Sequence, residues 1–208
     1  MSARISWPIT AALALFAVAA VAAPPQRESD WPCQQPLVPT ITAGQIWDGP
    51  SLEGIGDWHD EPSVVALVER ITPRRVSADE GKASIDDFIH GLPPDAQERQ
   101  RLVTLAFAGV LDETNHQRGT LIDRLKELGA RQRGLADIVA KLTAEYDAIP
   151  ADAQGADADR RADLEQRRNY TSRSFDEMQR TMRYACEVPA TLDARLGAYA
   201  RELRAAIS

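Results

Sequence analysis

The sequence predicts an all-α protein, a helical bundle with a long antiparallel coiled-coil hairpin that is preceded by an extended N-terminal strap. Three observations lead to this prediction: an export signal at the start of the chain, two cysteines far apart in the sequence, and a long heptad repeat between them. Apolar residues that alternate at steps of three and four form the seam of a coiled coil. These features describe architecture and location, and none of them specifies a reaction.

The first 22 residues have the pattern of a cleaved signal peptide. Arg4 precedes an apolar run that ends in Ala20-Val21-Ala22, which gives a charged region, a hydrophobic region and a small-x-small cleavage site. We therefore expect the mature chain to begin at Ala23 and to be periplasmic or secreted, with an uncleaved anchor as the alternative. Since no later segment is apolar enough to span a membrane, we expect no transmembrane insertion after signal removal.

The charge of the chain excludes one class of partner. The 208 residues carry a net charge of −7, and loss of the signal, which contains one basic residue and no acid, makes it −8. Binding to nucleic acid depends on cations that neutralise phosphates, so we expect no nucleic-acid partner. The 186 residues after the signal are enough for one domain with a hydrophobic core.

Residues 23–61 are predicted to form a non-helical strap that packs on the helical body. The segment is rich in proline and glycine, which favour turns and extended chain over helix. It also contains Trp31, Trp47 and Trp58, whereas disordered tails are poor in aromatic residues. A proline follows each tryptophan closely, so we expect rigid turns that direct the indoles at the helices. An exposed indole would instead favour a site for a ligand or a partner.

The helical domain is predicted to cover residues 62–208. Asp60 can cap a helix that has Pro62 in its first turn. Ser77 followed by Glu80 has the spacing of a capping box that opens a second helix. Apolar residues at helical spacing follow both signals, so we expect two short helices before the long repeat.

The longest predicted helix follows Gly91, which has the position of a Schellman-like stop, and it opens at a second capping box, Asp95 with Glu98. Its seam has nine residues, of which all but two are aliphatic: Leu121, Leu125, Leu128, Gln132, Leu135, Val139, Leu142, Tyr146 and Ile149. After a loop around 150–158, a partner helix continues the spacing: Leu164, Arg168, Thr171, Phe175, Met178, Met182 and Ala185. A short connection between two heptad helices predicts an antiparallel hairpin.

Cys33 and Cys186 are predicted to form a disulfide bond within one chain, because an even number of cysteines in an exported protein favours pairing. Such a bond would tie the strap to the C-terminal helices. A bond between two chains and two free thiols are the alternatives. The chain contains no C-x-x-C motif, so a thioredoxin-like redox role has no support.

Two carboxylate–histidine pairs raise the possibility of a metal site. Asp87 with His90, and Glu113 with His116, are each three residues apart, which places both members of a pair on one helix face. Carboxylate-bridged di-iron bundles use two helices of this type together with a glutamate from each of two others. Four metal ligands are one interpretation of these residues, and two structural histidines on partly exposed helix faces are the other. No other sequence feature indicates a cofactor.

The sequence favours a non-enzymatic protein-interaction module, such as an adaptor, an assembly factor or a holdase-type chaperone. Its partner would be a protein of the cell envelope or a second copy of the chain. Candidate partner-binding residues are the three tryptophans of the strap with Phe175, Met178 and Met182, because flexible methionine surfaces accommodate varied clients.

The alternative is a metal- or small-molecule-binding helical bundle, for example a carboxylate-bridged oxidase. We find no nucleophile with a recognisable base motif, no phosphate-binding loop and no dinucleotide fingerprint in the sequence. We therefore expect no enzymatic activity.

Overall fold

The computed structural model describes residues 31–207, and the predicted signal peptide lies outside this range. Within these residues there is no β-strand, and five α-helices follow one another: α1 (Pro62–Ile71), α2 (Ala78–His90), α3 (Ala96–Asp147), α4 (Ala156–Ala185) and α5 (Val188–Ala205). Two 3-10 helices precede them, Ala43–Gln45 and Trp58–Asp60. The prediction of an all-α fold is confirmed.

Side-chain caps fix the starts of α2 and α3. The Ser77 hydroxyl accepts the N–H of Glu80 at 3.2 Å, and the Glu80 carboxylate accepts the N–H of Ser77 at 2.9 Å, which confirms the capping box of α2. Asp95 caps α3 by accepting the N–H of Glu98 at 2.8 Å. The Glu98 carboxylate accepts hydrogen bonds from Arg101 and does not return to Asp95, so only half of the second box forms.

Two local predictions are wrong. Asp60 does not cap α1, because it belongs to the 3-10 helix Trp58–Asp60, and the residue before Pro62 is Glu61, whose side chain makes no capping hydrogen bond. Gly91 ends α2 with a φ of −83°, in the right-handed region, so the left-handed residue of a Schellman motif is missing.

The hydrophobic core lies among α1, α2, the first part of α3 and α5. We call this part of the molecule the body. All α3 residues of the buried cluster lie between Leu102 and Leu111. Phe107 and Tyr199 are the largest fully buried side chains, and the aliphatic residues around them include Val64, Ile71, Ile85, Leu105, Leu196 and Leu203. This cluster holds α5 against α1, α2 and the first part of α3.

The second part of α3 leaves the core and packs against α4; we call this helix pair the hairpin. With 52 residues, α3 is about 78 Å long at 1.5 Å per residue. Arg161, near the start of α4, donates to the carbonyl of Tyr146, near the end of α3, at 3.1 Å. The guanidinium groups of Arg161 and Arg168 lie 3.9 and 4.4 Å from the centre of the Tyr146 ring. Among the described helices, α4 has no more than marginal contact with any except α3.

Residues 31–61 lie on the body without forming an α-helix or a strand. Ile41 is buried in the core cluster, and its main chain is paired with a side chain of α3: Asn115 accepts the N–H of Ile41 and donates to its carbonyl, both at 2.9 Å. Ile46, Leu52 and Ile55 pack against the same cluster. The carboxamide of Asn115 therefore satisfies backbone groups that would otherwise lie part-buried and without partners.

None of the helices in the described part of the chain has the length and apolar character that crossing a membrane requires.

Candidate functional site

The two cysteines meet where α4 ends. Cys33 and Cys186 are 153 residues apart in sequence, yet their Cα atoms are 5.5 Å apart and their Sγ atoms lie at disulfide-bonding distance. Gln35 reinforces this junction, because its side-chain nitrogen donates to the carbonyl of Cys186. The carbonyl of Gln35 in turn accepts the indole N–H of Trp31 at 2.7 Å. The first described residues are thus fixed to the base of the hairpin.

A groove of about 1010 Å³ opens beside the cysteine pair. Its walls come from four elements: residues 32–35, the middle of α3, the end of α4 and the first turns of α5. Four glutamines border it, Gln34, Gln35, Gln132 and Gln179, and we call it the glutamine groove. Met182, which is 4% exposed, and two alanines of α5 form its apolar part.

The lining of the glutamine groove matches a ligand that is polar but carries little charge. Each carboxamide offers both donors and an acceptor. Arg183 and Glu187 are the charged residues of the lining, and they carry opposite charges. The heptad pattern places Gln132 in the seam as a polar exception; in the structure its side chain borders the groove.

Arg118 connects the elements around the groove. It is 2% exposed and belongs to α3, and it donates to the carbonyl of Val38 at 2.6 Å and to that of Pro189 at 3.5 Å. Its guanidinium also pairs with the carboxylate of Asp193 on α5. One buried side chain therefore holds residues 31–61, α3 and the start of α5 together. A buried cation needs such partners, because an unpaired buried charge is strongly destabilising.

Sequence reasoning missed Arg118, although a signal was present. Extending the seam of α3 toward its start by steps of seven from Leu125 reaches Arg118 and then Leu111. All three are buried in the structure. A lone arginine in such a stripe predicts a buried ion pair, but nothing in the sequence identifies Asp193 as its partner.

The three tryptophans lie in separate places. Trp47 stacks on Phe107 of the core, with ring centres 4.2 Å apart and an interplanar angle of 8°, and its indole donates to the carbonyl of Pro50 at 2.8 Å. Trp58 lies against α3 beside Gly109, and its indole lies 3.3 Å from the carboxylate of Asp112. All three indoles are half-buried with their N–H groups bonded, and only Trp31 is next to the glutamine groove. They do not form one continuous partner surface.

The candidate residues of α4 are not an exposed methionine surface. Met182 is buried and borders the groove, while Phe175 and Met178 are half-buried. Four large apolar residues are exposed in the described chain, Val38, Ile138, Tyr170 and Tyr184, and none of the three candidates is among them. A holdase-type chaperone therefore has little surface of the expected kind here.

The structure does not bring the candidate metal ligands together. No group of three or more histidine, cysteine, aspartate or glutamate side chains in residues 31–207 is arranged to hold a metal ion. Asp87, His90 and His116 are exposed, and the ring nitrogen Nδ1 of His90 lies 2.8 Å from the carbonyl of Asp86. Glu113 accepts a hydrogen bond of 2.8 Å from the neighbouring Gln117. The two pairs lie on separate helices, α2 and α3, and the structure does not group their four side chains around a common point.

Comparisons with protein-family models, with curated proteins and with solved structures find no match to the chain.

Proposed function

We propose that the protein is an exported, non-enzymatic helical interaction module that binds an extended segment of a partner protein in the glutamine groove. The observation that carries this proposal is the groove, in which four carboxamide side chains border an apolar floor. An extended peptide presents N–H and C=O groups in turn, and carboxamides can bond both. Its apolar side chains would rest on Met182 and the alanines of α5.

The hairpin supports an interaction role. We propose that the second part of α3 and α4 form the predicted coiled coil and project from the body. In favour of this, α4 has one substantial neighbour among the described helices, and its two buried residues, Leu164 and Met182, belong to the predicted seam. Since the groove lies at the base of the hairpin, a bound partner would contact both parts of the molecule.

Export and disulfide formation belong to the same proposal. The signal-like pattern of residues 1–22 and the approach of Cys33 and Cys186 both fit an oxidising compartment, where disulfides persist. The partner would then be a protein of the cell envelope, with a second copy of this chain as the alternative. An adaptor or an assembly factor fits the half-buried Met178 and the buried Met182 of α4 better than a holdase does.

The groove lining supports binding rather than catalysis. General acid–base catalysis needs a positioned side chain that exchanges protons. Glu187 is the one carboxylate in the lining, which contains no histidine, and the sulfur atoms of the two cysteines lie at bonding distance from each other. The remaining polar groups are mainly carboxamides, which bind without exchanging protons near neutral pH.

A non-denaturing pull-down tests this function. The tagged mature chain is used to capture proteins from its own exported fraction, which are then identified and quantified by mass spectrometry. We expect one stoichiometric protein partner. Ala190→Trp should fill the groove from α5 and reduce capture at least about tenfold, the size of a loss of 1.4 kcal/mol.

The matched control is Ala83→Trp, which adds the same side chain at an exposed position of α2 that borders neither the glutamine groove nor the other described cavities. It should capture the partner as the wild type does, and circular dichroism should show all three proteins equally helical. A wild-type chain that captures no stoichiometric partner, or an Ala190→Trp variant that captures it fully, would refute the proposed function.

A further inference from the structure

A second cavity, of about 510 Å³, lies between the start of α2 and the first half of α5. Three arginines line it: Arg74 and Arg75 from the connection between α1 and α2, and Arg195 from α5. The hydroxyl-bearing Ser77 and Thr191 also border it, and all the other lining residues are aliphatic. We call this cavity the arginine pocket. Its lining contains no aspartate or glutamate.

Arg195 is held at the back of this pocket. Its guanidinium donates to three main-chain carbonyls, those of Thr72 at 2.7 Å, Pro73 at 3.0 Å and Val76 at 3.2 Å. These partners fix the position of the side chain but carry no net charge. Burial lowers the pKa of Arg195, and the positive charge of Arg74 acts in the same direction. Because arginine stays protonated in proteins, the pocket contains a fixed, partly desolvated cation beside a second one.

Some other arginines of the described chain form ion pairs with carboxylates. Arg101 pairs with Glu61 and Glu98, and Arg118 pairs with Asp193. No carboxylate forms an ion pair with Arg74, Arg75 or Arg195 among the residues that the structure describes. Three cations without such a partner around one cavity leave an excess of positive charge there, although the chain carries a net charge of −7.

Both acids in the first turn of α2 have partners of their own, and Asp79 pairs with Lys82 at 3.4 Å. Glu80 belongs to the first turn of α2, but its carboxylate accepts from the N–H and the hydroxyl of Ser77 at 2.9 and 2.8 Å. These bonds lower the pKa of Glu80. The carboxylate therefore serves the helix start and does not line the pocket.

We infer that the arginine pocket binds a phosphate monoester with a small apolar substituent. A dianionic phosphate suits a cavity lined by several guanidinium groups, whose planar arrangement of donors matches its oxygens. The cavity is within the size range of small-molecule sites, and its aliphatic walls would cover the apolar substituent. The phosphate could belong to a soluble ester or to a lipid headgroup. This inference does not rest on a protein partner in the glutamine groove, although Thr191 and Ala194 line both cavities.

Calorimetric titration of the mature chain with phenyl phosphate tests the inference. We expect saturable binding that weakens with added salt, because screening reduces the attraction between exposed charges. The double variant Arg74→Gln, Arg75→Gln should bind at least about tenfold more weakly, since it loses two charge-assisted contacts. Both residues are exposed, so the variant should keep the fold, which its thermal midpoint without ligand can verify.

The matched control is Arg160→Gln with Arg180→Gln, which removes the same charge from exposed positions of α4. It should bind phenyl phosphate within about twofold of the wild type, because distant surface charges are screened. Equal weakening in the two double variants would show a general effect of net charge and would overturn the inference. The inference would also be overturned if the wild type neither binds phenyl phosphate saturably nor sediments with the vesicles described next.

Sedimentation with phosphatidic acid vesicles distinguishes the two sources of the phosphate. Co-sedimentation that requires Arg74 and Arg75, and that vesicles of phosphatidylcholine alone do not support, would assign the site to a lipid headgroup. Binding of phenyl phosphate without co-sedimentation would assign it to a soluble ester. Either result supports the phosphate site, and failure of both probes rejects it.

Discussion

The body and the hairpin are stabilised in different ways, although α3 runs through both. In the body, several helices meet, and α5 buries six of its 18 residues. In the hairpin, α4 buries two of its 30 residues, because α3 is its one substantial neighbour among the described helices. A helix with a single neighbour can bury only a narrow stripe of its surface. Each buried side chain of the hairpin therefore carries a larger share of the local stability.

This difference separates two tasks. The body supplies most of the buried apolar surface. The hairpin buries few residues and leaves a long face of each of its two helices exposed. Regions with few buried contacts open locally at lower free energy than the core does. The glutamine groove lies where the two regions join, so its shape depends on both.

The largest expected effect comes from the contact that joins the two regions. Replacing both cysteines, with Cys33→Ser and Cys186→Ser, should lower the free energy of unfolding by about 2–5 kcal/mol, because the proposed disulfide closes a long loop in the unfolded chain. Urea denaturation of the oxidised wild type and the variant would measure this. Equal stabilities, together with two free thiols in the untreated wild type, would show that the bond does not form.

Removing the buried cation of α3 should be nearly as costly. Arg118→Ala leaves two carbonyls and the half-exposed carboxylate of Asp193 without their partner, and the expected loss is up to about 3 kcal/mol. The control is Arg124→Ala, which removes an exposed arginine from the same helix and should change stability by less than about 0.5 kcal/mol. If both variants lost the same small amount in denaturant titrations, Arg118 would not be the anchor described above.

Two buried leucines can be replaced to test whether the hairpin and the body unfold separately. Leu164 on α4 and Leu196 on α5 are 2% and 1% exposed, and each change to alanine should cost about 2–5 kcal/mol in its own region. Hydrogen exchange should show faster exchange of α4 amides in Leu164→Ala, with the amides of α1 and α2 unchanged. Leu196→Ala should speed exchange throughout the body. Uniform acceleration in both variants would mean that the two regions unfold as one unit.

The smallest expected effects differ in sign. At Gly134, in the hairpin half of α3, an added Cβ meets nothing within 4 Å, so Gly134→Ala should stabilise by about 0.5–1 kcal/mol through helix propensity. At Gly81 in α2 an added Cβ overlaps the ring of Tyr199, and overpacking of this kind costs about 1–3 kcal/mol. Thermal midpoints of the two variants should move in opposite directions, and a shift of both in one direction would contradict the packing described for α2.

Local chemistry made much of the fold predictable. The Ser77 capping box, the heptad spacing and the two cysteines are short-range or periodic signals, and they predicted an all-α chain with its cysteines close together. The Asp60 cap was wrong because Asp60 lies within a 3-10 turn, whereas Gly91 ends α2 as predicted but in a right-handed conformation instead of the left-handed one of a Schellman motif.

The candidate sites were much less predictable. The glutamine groove takes its lining from four separate elements, and Arg195 finds three carbonyl partners more than a hundred residues away. Such sites depend on tertiary packing, which neither helix propensity nor spacing along one helix encodes. Gln132 is the exception, because it is recognisable in the sequence as a polar residue in an apolar seam.

The placement of the two cysteines also determines how the chain would carry a mechanical load. With the proposed bond formed, tension applied at the two ends would pass from residue 33 to residue 186 through the sulfur atoms. The intervening 152 residues, which include the hairpin and most of the core, would lie off the line of force. Within the described residues, α5 and the residues before Cys33 would lie on the line of force, so a pull on the two ends would act on α5 while the hairpin stayed outside it.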